Sequence, residues 1–151
     1  MDQIIIEGVF LTPLKQIFHP KGNILHGMKQ SDPGFSGFGE AYFSTINAGD
    51  VKGWKKHLRM TMNLVVPVGK IRFVIYDDRK ESSTNGKFFS VIIDADNYQR
   101  ITLPPGVWLG FQGLAKDLNL LLNIADMEHD LTESENIPLE SFCYNWRRVN
   151  D

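Results

Sequence analysis

Lys55 and His57 stand two residues apart, and on a β-strand that spacing puts both side chains on one face. An imidazole exchanges protons near neutral pH. An ammonium beside it either tunes it or, once desolvated, becomes a base itself. Tyr42 or Tyr76 could return a proton to the reacting group. The same stretch has a plainer reading, in which Lys55, Lys56, His57 and Arg59 form a solvated basic strand. The remaining histidines point less clearly to chemistry. His19 and His26 flank a glycine-containing turn, and His129 sits in the acidic run Glu128-His129-Asp130. Trp54 and Trp108 could stack on a ring-shaped ligand or pack in the interior.

Several chemistries are excluded. Cys143 is the single cysteine, so there is no intramolecular disulfide framework and no multi-cysteine metal site. No Ser-His-Asp arrangement, phosphate-cradling loop or dinucleotide fingerprint is visible. Gly27, Gly34, Gly37 and Gly39 read as loop formers, because no helical pattern opens after them. Sixteen Lys+Arg against eighteen Asp+Glu give a net charge of -2, which offers no reason to expect nucleic acid or an anionic membrane as partner. The start, Met1 to Glu7, lacks a basic flank and a long apolar run and does not read as a signal peptide. No stretch approaches the roughly 18 apolar residues of a membrane span. A cytoplasmic protein is expected.

The elements that would position these side chains are strands. Leu64–Val68, Ile71–Tyr76, Phe88–Ile93, Gln99–Leu103 and Leu118–Ile124 are strand-length runs rich in β-branched and aromatic residues. They end at turn chemistry: Gly69-Lys70, Asn85-Gly86, Asp94 to Asn97 and Pro104-Pro105-Gly106. Short strands at regular spacing predict a sandwich or barrel. The tail from Met127 to Asn136 is acidic and reads as loop. With 151 residues, 42% of them hydrophobic and 11% aromatic, one domain over residues 1–151 with a sizeable core is expected.

Two blocks carry a resemblance. The first runs from Glu40-Ala41-Tyr42-Phe43-Ser44 through Gly49-Asp50-Val51-Lys52-Gly53-Trp54-Lys55-Lys56-His57 to Tyr76-Asp77-Asp78-Arg79, Ser82, Thr84 and Gly86. The second is Leu103-Pro104-Pro105-Gly106-Val107-Trp108-Leu109-Gly110-Phe111. With Gly8-Val9 and His19-Pro20-Lys21-Gly22, they resemble the dTDP-4-dehydrorhamnose 3,5-epimerase family. That family's pattern includes Arg-Gly-Leu-His-x-Gln, Asp-x-Arg-x-x-Ser-x-Thr-x-Gly and Pro-x-Gly-x-x-His-Gly-Phe. The resemblance implies an all-β cupin jelly roll (double-stranded β-helix) and a homodimer. It also implies proton abstraction alpha to the keto group of a 4-keto-6-deoxy sugar nucleotide, in cell-surface polysaccharide biosynthesis. No cofactor is implied.

The departures fall on the catalytic positions. The family's catalytic His falls on Lys55, the following Gln on His57, and the His of Pro-x-Gly-x-x-His on Leu109. Its lysine before the turn glycine falls near Met62 or Asn63. Its catalytic tyrosine falls where this chain has Leu122, Asn123 and Asp126 to His129. Only one of the four ligand positions of metal-binding cupins, His57, remains a ligand type, so no metal is expected. The resemblance assigns His57, Lys55 and Tyr42 to proton transfer. It assigns Lys21 and Lys52 to the diphosphate, and Glu40, Trp108 and Asn123 to the ligand. The alternative is a non-catalytic cupin that binds a sugar or nucleotide sugar.

Overall fold

The structure, a computed structural model, describes residues 5–147. The first four residues of the N-terminal stretch considered above lie outside this range. Twelve strands follow one another: β1 (Phe10–Pro13), β2 (Gln16–Ile17), β3 (Ile24–Leu25), β4 (Glu40–Thr45), β5 (Val51–His57), β6 (Met62–Val68), β7 (Ile71–Asp77), β8 (Phe88–Ile93), β9 (Gln99–Leu103), β10 (Val107–Gly113), β11 (Leu120–Ala125) and β12 (Ser134–Asn136). Two five-stranded antiparallel sheets hold ten of them, in the orders β1-β9-β6-β11-β4 and β12-β5-β10-β7-β8. The short β2–β3 hairpin stands apart from both. This is the all-β cupin jelly roll that the family resemblance implies.

Leu64 and Val66 of β6, Ile71, Phe73 and Ile75 of β7, Ile101 of β9 and Leu121 of β11 form the core, all buried. Their period-two spacing is the sheet's own. The residues between them on β6 and β7 are buried as well, because both outer faces are covered. The first sheet carries the segment 26–38 on its outside. Buried Arg100 holds that segment through the Gly27 and Pro33 carbonyls (2.9 and 2.8 Å) and Asp32 (3.3 Å). The second sheet carries the C-terminal segment, whose Phe142, Tyr144 and Trp146 pack with Trp54, Val74, Tyr76 and Trp108. Gly69 turns β6 into β7 at φ +93°, and a Cβ there would collide with the Leu118 carbonyl.

The tail departs from expectation. Residues Ser134–Asn136 form a strand pairing with Lys55–His57 of β5. Its polar sequence has no apolar alternation, since it lies at a sheet edge with two of its three residues exposed. β10 also escapes the strand inventory, because Gly110 and Gln112 interrupt its apolar pattern. Gly110 is needed there: a Cβ would stand 3.1 Å from both Trp54 and Trp146.

Candidate active site

The mouth of the roll encloses a cavity of about 260 Å³ between the two sheets. β5 supplies its charged wall through a bulge. On β10, Leu109 and Phe111 are two residues apart, yet their partners Lys55 and Lys52 on β5 are three apart. The extra residue lies at Gly53–Trp54, whose peptide bond is cis. Trp54 points outward into the aromatic cluster, and Lys52, Lys55 and His57 all line the cavity. Strict alternation would send Lys52 to the opposite face from the other two. Met60, Met62, Leu64, Val107, Leu109 and Phe111 give the cavity an apolar floor.

His57 is the best-held polar group. Its Nδ1 lies 2.6 Å from Glu133 Oε1, and Glu133 is 1% exposed. The other carboxylate oxygen accepts the backbone N–H groups of Arg59 (2.8 Å) and Met60 (2.9 Å). Burial works against charge on Glu133. The N–H of Arg59, the His57 ring and the N–H of Met60 outweigh it and hold the carboxyl below its ordinary value. An ionised Glu133 only accepts, so the nitrogen facing it, Nδ1, carries a proton, and Nε2 is the nitrogen left to act as an acceptor in the neutral ring. The Gly106 N–H donates to the His57 carbonyl (2.7 Å), tying down the end of β5. The Leu58 N–H donates to the Glu133 carbonyl (2.7 Å). Sequence reasoning misses Glu133, which lies in the presumed loop. The available signal was Asp130-Leu131-Thr132, whose Asp accepts from the Thr132 N–H (2.9 Å) and hydroxyl (2.8 Å) in a turn.

Facing β5 from the first sheet are Tyr42 and Ser44 of β4 and Asn123 of β11. Asn123 stands directly opposite Tyr42 in the strand register. Its side-chain N–H groups are directed at Ser44 Oγ (3.1 Å) and the Tyr42 carbonyl (3.3 Å), so Oδ1 is what it offers a ligand. Burial, then the charge of Glu40, pushes the Tyr42 phenol above its ordinary value. It is a neutral O–H donor at neutral pH.

The remaining predicted residues divide. Lys52, exposed near the mouth, donates to the Thr45 carbonyl (2.7 Å) and lies over the Phe111 ring at 5.9 Å. Lys55 is half-buried beside it. Glu40 does not line the cavity; at the start of β4 it pairs with Ala125 of β11 and acts on Tyr42 through its charge. Trp108 lies on the outer face of the sheet, where its Nε1–H donates to Asp78 (2.8 Å) and Lys56 covers its ring at 4.7 Å. It packs rather than stacks on a ligand. Lys21 is exposed in the β2–β3 turn, away from this cavity. Among the described residues no group of three or more His, Cys, Asp or Glu could hold a metal. No helix among them is long and apolar enough to cross a membrane.

The arrangement provides one base with a fixed tautomer, one neutral acid on the opposite sheet and two cations, around an apolar floor. It suits proton removal and return on an anionic ligand with an apolar ring face. The sequence matches the profile of the dTDP-4-dehydrorhamnose 3,5-epimerase family over residues 12–141. It is 33% identical over 103 residues to the probable low-salt glycan biosynthesis epimerase Agl13 of Haloferax volcanii, a match spanning 66% of each chain, just under two thirds of the relative's length. The crystal structure of a dTDP sugar isomerase from Desulfovibrio desulfuricans superposes with a TM-score of 0.88 at 39% identity, covering 92% of this chain and 90% of that one. ChmJ, a 3'-monoepimerase from Streptomyces bikiniensis solved with dTDP-quinovose, shares the fold at 17% identity (TM-score 0.80, 92% and 74% covered).

Proposed function

Because the chain belongs to the dTDP-4-dehydrorhamnose 3,5-epimerase family, we propose that it epimerises a nucleotide-linked 4-keto-6-deoxyhexose in cell-surface polysaccharide synthesis. The observation that carries this reading is the 2.6 Å contact between His57 Nδ1 and buried Glu133. A histidine in a solvated basic strand has no need of an ionised partner beneath it. His57 Nε2 takes the proton alpha to the ketone, with Glu133 holding the ring and balancing the imidazolium that forms. Tyr42 returns a proton from the opposite sheet, so removal and return meet opposite faces of the sugar ring. Inversion at carbon requires that.

Lys52, near the mouth, suits the diphosphate as a point charge. The cavity, about 260 Å³, falls just below the usual range for ligand pockets, which suits a sugar ring with the nucleotide lying outside. We further infer a cytoplasmic homodimer. The β2–β3 hairpin exposes Ile17, Phe18, Ile24 and Leu25, an apolar surface that a second copy would cover.

The test is proton NMR in D2O of nucleotide-linked 4-keto-6-deoxy sugars with the purified protein. Enzyme-dependent loss of the C3 or C5 proton signal is expected, and would name the carbon. Broadened ligand lines with every proton retained would instead establish the non-catalytic binding alternative.

A further inference from the structure

We infer that Lys55 is the electrophile of this site: its ammonium receives the negative charge that develops on the substrate's keto oxygen while His57 removes the neighbouring proton. This deepens the epimerase reading and rests on it. The first ground is that Lys55 lacks a partner. Among the described residues its ammonium makes no hydrogen bond or ion pair, whereas its cationic neighbours are engaged. Lys52 donates to Thr45, Lys56 meets Asp78 (3.4 Å) and Glu135 (4.0 Å) on the outer face, and Arg59 meets Asp130 (3.3 Å). Glu133, the buried carboxylate beneath His57, is already taken by that ring and two backbone N–H groups.

The second ground is the surroundings. Lys55 is half-buried and faces Leu109 across the ladder, above an apolar floor. A cation in such a place is poorly compensated until an anion forms beside it. The same low dielectric then strengthens the attraction. A charge that appears only in the transition state is where such an interaction accelerates chemistry.

The third ground is order along β5. Lys55 and His57 are about 6–7 Å apart along the strand. A base about 3 Å from a C–H and a cation about 3 Å from the oxygen on the adjoining carbon need a separation of that size. Lys52 lies further along, opposite Phe111 and toward the mouth, where the far end of the sugar and its diphosphate would extend. The step balances. His57 Nε2 accepts the alpha proton, the C–H electron pair becomes the C=C bond, and the carbonyl π pair moves onto oxygen beside the Lys55 ammonium, which keeps its protons. Tyr42 O–H then protonates the opposite face, the C=O re-forms, and water restores Tyr42 and His57.

The experiment follows hydrogen–deuterium exchange on whichever sugar nucleotide the wild-type protein turns over, with dTDP binding measured in parallel. Lys55→Met is expected to lower kcat by roughly 10²–10³-fold, with KM and dTDP affinity changed by less than about threefold. Lys55→Arg, which keeps a charge in a different shape, should lose less. Ethylammonium should restore part of the rate of Lys55→Ala and none of that of His57→Ala. A Lys55→Met rate within a few-fold of wild type, a loss confined to dTDP affinity, or absence of amine rescue in a folded Lys55→Ala protein would each overturn the assignment. Wild-type protein that exchanges no proton on any sugar defeats the epimerase reading itself, and this inference with it. That result is distinct from a loss confined to the Lys55 variants.

Discussion

Glu133 has the sharpest consequences of any single residue, because one buried carboxylate serves the His57 ring and two backbone donors. Glu133→Gln keeps the shape and removes the charge. His57 then loses its tautomer preference and the balance for its imidazolium. Proton exchange should fall by roughly 10²–10⁴-fold, and stability by about 1–3 kcal/mol, read by NMR and by urea unfolding. The pH dependence follows from the direction of the shift. The Glu133 carboxyl is held below its ordinary value in the fold, so the unfolded chain binds its proton more readily. The stability it contributes is complete above about pH 4.3, the ordinary glutamate value, and is lost as pH falls through the lower folded value. Wild type and Glu133→Gln should therefore differ most at neutral pH and converge in acid. A gap in urea midpoint that stays constant down to pH 3 would show that Glu133 does not act through its charge. The His57 half of this pair was legible in the sequence from residue type and spacing. The Glu133 half was not, because a partner 76 residues away leaves no local periodicity.

At the scale of elements, the site depends on two pieces that apolar patterning does not reveal. One is the bulge at Gly53–Trp54, which brings Lys52 to the face of Lys55 and His57. The run Ile71–Tyr76 was readable because its buried residues are β-branched and aromatic. A bulge is a ladder mismatch, visible only once the partner strand is known. The other piece is β12, held to β5 by paired Trp54 and Ile137 backbone bonds (3.2 and 3.1 Å) and by Trp54 Nε1–H donating to the Leu139 carbonyl (3.0 Å). The anchor behind it is aromatic: Phe142 lies 4.4 Å from the Tyr76 ring and 5.3 Å from that of Trp54, centroid to centroid. Phe142→Ala should cost about 2–3 kcal/mol. The loss should appear first at the C-terminal end. Amide exchange at Ile137 and Trp54 should speed up more than at Phe73 in the core, and proton transfer should weaken as Glu133 becomes less fixed. Equal acceleration at all three amides would mean that the segment unfolds only with the whole domain.

At the scale of the molecule, the distribution of exposed apolar surface bears on assembly. Phe18 is 79% exposed on the β2–β3 hairpin, and Phe38 and Phe43 are 66% and 64% exposed on the first sheet's side. A second, shallower groove of about 210 Å³ lies there, with Phe35, Phe38, Ala41, Leu122 and Ile124 among its walls. A chain of net charge -2 has little electrostatic repulsion to keep such surfaces apart. One molecule therefore carries an apolar projection and an apolar recess, which is what a two-fold pair exchanging the same contact requires. β4 supplies Ala41 to that groove and Tyr42 to the cavity, so an arm seated in the groove would stiffen the strand that holds Tyr42. Sedimentation should give twice the 17.2 kDa chain mass. Phe18→Ser, which removes the most exposed of these aromatics and touches nothing in the cavity, should shift the protein toward the monomer. Proton exchange should then fall with dilution in the variant more steeply than in wild type. A wild-type protein that sediments as a monomer, with exchange independent of concentration, would mean that these surfaces serve no second copy.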